Sequence, residues 1–160
     1  MPAALHAFLA RDHERLDALL TRADAGPIDL EAYAEFRAGL LRHRAMEEKV
    51  LMPEARRLRG GDPLPIARQL KADHAALASL LVPSPTHALV ATIRSVLAEH
   101  NPLEEGPTGM YAACEALIGQ DADRVLAAML AVPPVRASDH LDEQRIHDHI
   151  ARMLDARRRG

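Results

Sequence analysis

An all-α fold is predicted by three features of the sequence: helix-favouring residues dominate, strand-favouring residues are scarce, and turn signals cut the chain into helix-length pieces. The 160 residues contain 30 Ala and 23 Leu against 17 Val, Ile and Thr together, with aromatics at 2% and no Trp. Helices draw on the abundant types and strands on the missing ones. The length suits one domain.

The turn signals are Ala25-Gly26-Pro27, Gly60-Gly61-Asp62-Pro63, Pro83-Ser84-Pro85, a disturbed patch from Asn101 to Gly109, and Pro133-Pro134. They predict helix 1 at about 3–22, helix 2 at about 29–59, helix 3 at about 64–82, and helix 4 from about 86 through the disturbed patch to about 119. Closing segments are expected at about 121–132 and 137–157. Asp29 and Thr86 suit the N-caps of helices 2 and 4. Pro53 should kink helix 2 or end its regular part. Short connections between long amphipathic helices favour antiparallel neighbours, which gives an up-down-up-down four-helix bundle over residues 1–119. Residues 120–160 are read as a helical extension packed on that bundle within the same domain.

Composition narrows the function. A net charge of −3 gives no footprint for a nucleic acid, and no segment approaches the apolar length of a membrane span. The first apolar stretch is broken by His6 and stopped by Arg11 and Asp12 rather than followed by a cleavage site. A single cysteine, Cys114, excludes a disulfide framework and a Cys-based metal site and suits a reducing compartment. A cytoplasmic location is therefore expected. Nine histidines are the unusual feature.

Four of them occupy apolar faces. Helical spacing puts His13 on a stripe with Leu5, Leu9, Leu16 and Leu20, and His74 on one with Ile66, Leu70, Leu77 and Leu81. Helix 2 gathers Phe36, Leu40, His43, Glu47 and Val50; helix 4 gathers Leu89, Ile93, Val96, His100, Leu103 and Glu104. A repeat relates the halves: Asp12-His13-x-x-Leu16-x-x-Leu19-Leu20 recurs 61 residues later from Asp73-His74, and His43-x-x-x-Glu47-Glu48 recurs 57 residues later as His100-x-x-x-Glu104-Glu105. Each half is a helical hairpin with one histidine, then a histidine and a glutamate one turn apart.

Glu47 and Glu104 decide the chemistry. Burying an ionised carboxylate without a partner is strongly unfavourable, and neither has an Arg or Lys in its own stripe. A cation is the simplest partner. Six nitrogen and oxygen donors exceed the need of one tetrahedral zinc but suit two metals, each with two imidazoles and both sharing the carboxylates. Without thiolate, the donors fit iron, manganese or zinc. Pro102, between His100 and Glu104, leaves Glu105 as a competing ligand if it unwinds the turn. Glu48 and Glu105 are otherwise read as residues that orient imidazoles, His6 as a neighbour of the ligands about 10 Å along the axis from His13, and Asp17 as solvated. His140, His147 and His149 lie on a polar segment and show no metal-ligand spacing, while Met46, Met52 and Met110 fit core positions or a gas path.

These motifs, Asp12-His13, His43-x-x-x-Glu47-Glu48, Asp73-His74 and His100-x-x-x-Glu104-Glu105, resemble the bacterial hemerythrin-like (HHE cation-binding) family over about residues 3–119. The resemblance implies a non-haem di-iron centre in a four-helix bundle, with His13, His43, His74 and His100 as terminal ligands and Glu47 and Glu104 as bridging carboxylates. It implies two iron ions with an oxo or hydroxo bridge between them; the donor chemistry alone leaves manganese or zinc possible. The chain departs from the oxygen-carrying hemerythrins at position 78, where alanine stands in place of a further histidine one turn from His74. Open coordination positions favour binding a small gas, oxygen or nitric oxide. The expected function is thus to bind or sense such a gas or to handle iron. Alternatives are an enzyme or stress protein that reduces nitric oxide or peroxide or donates iron to damaged centres, and a metal-free helical interaction module. Any signal would leave through a protein partner, for which the 121–157 tail is a candidate.

Overall fold

The computed structural model describes residues 4–160, which are predominantly helical with no strand among them. Eight α-helices follow one another: α1 (Ala4–Ala23), α2 (Leu30–Met46), α3 (Met52–Leu58), α4 (Ala67–Leu80), α5 (His87–Glu105), α6 (Met110–Ile118), α7 (Ala122–Leu130) and α8 (Gln144–Arg158). The caps are local chemistry. The Asp29 side chain accepts from the Ala32 N–H and Thr86 Oγ1 from the Leu89 N–H, each satisfying an amide that the helix leaves free. The expected start of helix 1 at residue 3 lies outside the described residues.

Helix 2 continues into α3 through one π turn, Glu47–Leu51, in which the Met52 N–H reaches the Glu47 carbonyl five residues back. Pro53 follows, and its missing N–H and bulky ring disfavour the ordinary ladder there. The wider turn shifts the buried stripe. Leu51 is buried and Val50 only half-buried, where regular spacing places Val50 inside. Pro102, by contrast, is accommodated within α5.

Two boundaries differ from expectation. Helix 4 is two helices, because α5 ends at Glu105 with Gly106 as its cap and α6 starts only after Gly109. A Cβ at Gly109 would stand 2.7 Å from the carbonyl oxygens of both Leu103 and Glu104, so glycine lets α6 begin directly against the end of α5. The last helix begins at Gln144, not near 137. Asp142 instead accepts from the Ser84 N–H and Oγ at 2.8 and 2.7 Å, and Arg37 Nη1 donates to the Ser138 carbonyl at 2.6 Å. These bonds hold the segment extended in competition with a helix.

The core falls into two apolar clusters. One contains Leu5, Leu9, Met46, Leu51, Leu70, Met110 and Tyr111; the other contains Leu16, Leu20, Phe36, Leu40, Leu77, Val96 and Ile93. On α1, α2 and α4, a histidine lies between a residue of one cluster and a residue of the other: His13 between Leu9 and Leu16, His43 between Leu40 and Met46, His74 between Leu70 and Leu77. On α5, His100 lies between Val96 and Leu103, which packs against the first cluster. A polar layer therefore crosses the molecule between two oily ones. α8 lies against α4, and Ile150 joins the second cluster.

Candidate metal centre

The polar layer is built from the inside out. His13, His43, Glu47, His74, His100 and Glu104 are all buried, with Glu47 and Glu104 at 0% exposure. Donor atoms of His13, His43, Glu47 and Glu104 lie within 4.8 Å of one another, as do those of His74, His100 and Glu104. The carboxylates face both groups. Glu47 turns Oε1 to His43 Nε2 (2.6 Å) and Oε2 to His74 Nε2 (3.3 Å). Glu104 turns Oε1 to His13 Nε2 (3.2 Å) and Oε2 to His74 and His100 Nε2 (3.3 and 3.1 Å). Every imidazole thus presents Nε2 to the centre.

A second ring holds the first. His43 Nδ1 faces Asp12 at 2.7 Å, His100 Nδ1 faces Asp73 at 2.9 Å, His74 Nδ1 faces Glu48 at 3.4 Å, and His13 Nδ1 faces Glu105. A carboxylate accepting from Nδ1–H fixes the ring and leaves Nε2 free to bind. The links run round the helices: α1 holds a histidine of α2, the turn after α2 holds one of α4, α4 holds one of α5, and α5 holds one of α1. Outside three of these carboxylates stands an arginine: Arg15 on Asp12, Arg44 on Glu48, and Arg157 of α8 on Asp73, all at 2.9 Å. The two inner glutamates have only histidine ion partners among the described residues.

The site is electrostatically tense. Burial pulls the imidazole pKa values down, but the carboxylates outweigh it, raising His43 to about 10 through Glu47 and Asp12, His74 to about 11 through Glu104, Glu47 and Glu48, and His100 to about 9 through Asp73 and Glu104. His13 is raised by Glu104 and Glu105 against the same burial. Burial pushes the Glu104 carboxyl up, yet its neighbours hold it well below the usual carboxylate range. The protons that the carboxylates hold on the four imidazoles are the positive charge that a bound cation would replace. Glu47 Oε2, fully buried, accepts no hydrogen bond although His74 stands nearby. This orphaned oxygen, the inward Nε2 atoms and the mixed nitrogen and oxygen donors fit a metal site.

The structure separates the two glutamates that Pro102 left in competition: Glu104 faces the centre and Glu105 faces His13 Nδ1. His6 lies outside the inner ring, its Nε2 against the Glu105 carbonyl at 3.0 Å and its ring edge-on to Tyr111. Asp17 pairs with Arg94 at the surface. His140 packs on Tyr33 and approaches the Val82 carbonyl, away from the centre.

Three residues escaped the sequence reading. Asp12 and Asp73 stood in the repeated motif without a role, and the repeat itself was the signal that both act alike. Tyr111 of α6 had none. Its hydroxyl donates to Glu47 Oε1 at 2.8 Å and lies 3.1 Å from His43 Nε2, 3.2 Å from His13 Nε2 and 3.4 Å from Glu104 Oε1.

A family profile described as the hemerythrin HHE cation binding domain matches residues 4–113. Neither a curated protein nor a solved structure gives a significant match. No described helix is long and apolar enough to cross a membrane. The profile covers more than half of the chain, including every residue of the inner ring, and the chain belongs to the hemerythrin HHE cation-binding family.

Proposed function

We propose that the protein holds two iron ions between the four helices of an up-down-up-down bundle and uses them to bind or sense oxygen or nitric oxide, or to handle iron. One observation carries this reading: each inner carboxylate divides its two oxygens between two histidine pairs, His13 with His43 and His74 with His100. Shared carboxylates place two cations side by side rather than one at the centre. His13, His43, His74 and His100 are then terminal ligands, and Glu47 and Glu104 bridge. The bundle topology is supported by the order of the apolar clusters, which alternates from helix to helix through α1, α2, α4 and α5.

When bound, the iron pair supplies redox-active centres with positions open to a small molecule. The chain's own residues do the rest. Asp12, Asp73, Glu48 and Glu105 hold the imidazoles in the binding orientation. The flanking apolar clusters exclude bulk water. We assign residues 1–119 to the bundle and 120–160 to an extension of the same domain, on the strength of Arg157 reaching Asp73 from α8. A cytoplasmic location is supported by Cys114, a lone buried thiol.

Adding oxygen or nitric oxide to the reduced, iron-loaded protein tests the function. A spectral change that reverses on removing the gas is expected. Irreversible oxidation with consumption of the gas would replace this reading with that of an enzyme.

A further inference from the structure

We infer that Tyr111 is a seventh protein donor, its phenol oxygen joining His13 and His43 at one cation position, so that the exogenous ligand is received at the other position, beside His74 and His100. This rests on the two-cation reading above. The phenol oxygen is 2.8 to 3.4 Å from four donor atoms of one group: Glu47 Oε1, His43 Nε2, His13 Nε2 and Glu104 Oε1. With metal–donor bonds of about 2.1 Å, donors at right angles on one ion stand about 3 Å apart. Tyr111 therefore sits at neighbouring-donor distance from all four, where a ligand's oxygen belongs. On coordination its O–H bond breaks, the oxygen keeps the electron pair, and the proton leaves to solvent.

The placement of the ring is fixed. Tyr111 is 1% exposed, rests against the edge of His6, and lies two residues beyond Gly109, whose missing Cβ lets α6 abut the Glu104 carbonyl. Nothing in the repeat duplicates it, because α6 follows the second hairpin and has no counterpart after the first. The two cation positions are consequently unlike.

All four imidazoles line a cavity of about 20 Å³, with Leu41, Arg44, Leu77, Ala78, Leu97 and Asn101 among its other walls; with Tyr111 beside His13 and His43, the place left free is the one beside His74 and His100. Such a space holds one water-sized molecule. Ala78, one turn beyond His74, offers no donor, and Asn101 Oδ1 is buried without a hydrogen-bond partner. A small neutral molecule such as a diatomic gas fits this space, with Leu41, Leu77, Ala78 and Leu97 as apolar walls and the unpartnered Asn101 Oδ1 as a polar one. A wider groove of about 430 Å³ between α1 and α5 shares His13, Leu40, Leu97 and Asn101 with the cavity and gives it an approach from solvent that passes the His13 ring.

The test is spectroscopy of the iron-loaded full chain. The oxidised protein should show a visible phenolate-to-iron charge-transfer absorption with tyrosinate modes in resonance Raman, and Tyr111→Phe should lose both while metal analysis still finds iron. Iron bound without these signals, or signals that survive Tyr111→Phe, overturns the inference and leaves the two-cation reading standing. Failure of the wild-type protein to take up iron sinks both. In a second arm, nitric oxide is added anaerobically to the reduced protein. Ala78→Phe, which fills the cavity, should cut its binding at least tenfold with the tyrosinate signal intact. Should Ala78→Phe not fold, Ala78→Leu serves as the smaller plug. Undiminished binding in a folded, iron-loaded variant places the ligand elsewhere.

Discussion

Replacing Asp73 by alanine removes one side chain that serves two structures, and the two losses are separately measurable. Its Oδ2 faces His100 Nδ1 at 2.9 Å; its Oδ1 accepts from Arg157 Nε and Gln69 Nε2, also at 2.9 Å. Loss of a carboxylate that orients a ligating imidazole costs about 10–100-fold in metal affinity, or ~1.4–2.8 kcal/mol. Arg157, with 8% of its side chain exposed, also loses its inner partner. Breaking a buried ion pair costs about 3–5 kcal/mol. Glu99, 67% exposed and 3.0 Å from Nη1, remains and offsets part of this, which leaves a stability loss of about 3 kcal/mol. In a chain of this size that lowers the thermal midpoint by about 6–12 °C. Asp12→Ala is the matched control. Asp12 holds His43 in the same way, but its arginine partner, Arg15, is 52% exposed, so that ion pair contributes at most about 1 kcal/mol. Competition against a chromophoric chelator should show weakened metal binding in both variants, and thermal denaturation of chelator-treated protein should single out Asp73→Ala. Equal midpoints for the two variants, or wild-type metal affinity in either, would refute the layered design.

In chelator-treated protein, stability should depend on the raised imidazole pKa values. His43, His74 and His100, at about 10, 11 and 9, stand above the ordinary 6.5, so their contribution is fully present below pH 6.5 and is lost as the pH rises through about 9 to 11. Urea midpoints measured across that range should fall; a flat profile contradicts the assignment. The same protons must leave when the imidazoles take a cation, so metal uptake at pH 7 should acidify a weakly buffered solution, as read by an indicator dye. Gly109→Ala should cost about 1–3 kcal/mol in urea denaturation, because the new methyl meets backbone oxygens of Leu103 and Glu104 rather than a side chain that can swing away. An unchanged midpoint would mean that α6 is free to shift. Glu47→Gln should lose both ions together, since one carboxylate faces both histidine pairs; retention of one ion would show that the positions are independent.

The repeat made the inner ring legible before any coordinates. Histidine and glutamate one turn apart on an otherwise apolar stripe have only one burial geometry, and the second copy shows the same arrangement. The ring around it was half legible. Glu48 and Glu105 are read as orienting residues from their place beside the inner ring in the sequence, whereas Asp12 and Asp73 reach histidines on a different helix, a relation that spacing along one helix does not encode. Tyr111 lay beyond sequence reasoning for the same reason: its role depends on α6 turning back against α5, a close approach that only the missing Cβ of Gly109 allows. Helical periodicity also assumes an unbroken register. The π turn beside Pro53 broke it at Val50, and Pro102 left it intact near Glu104. The closing segment misled because Asp142 and Ser138 bond to distant residues, a tertiary choice that overrides local propensity.

The most direct measurement is an anaerobic titration of metal-stripped protein with ferrous iron, followed by elemental analysis after gel filtration. Two ions per chain should remain bound in the wild-type protein, and neither in His43→Ala. A single retained ion, none, or two ions undisturbed by His43→Ala would contradict a pair of cations shared between two inward carboxylates.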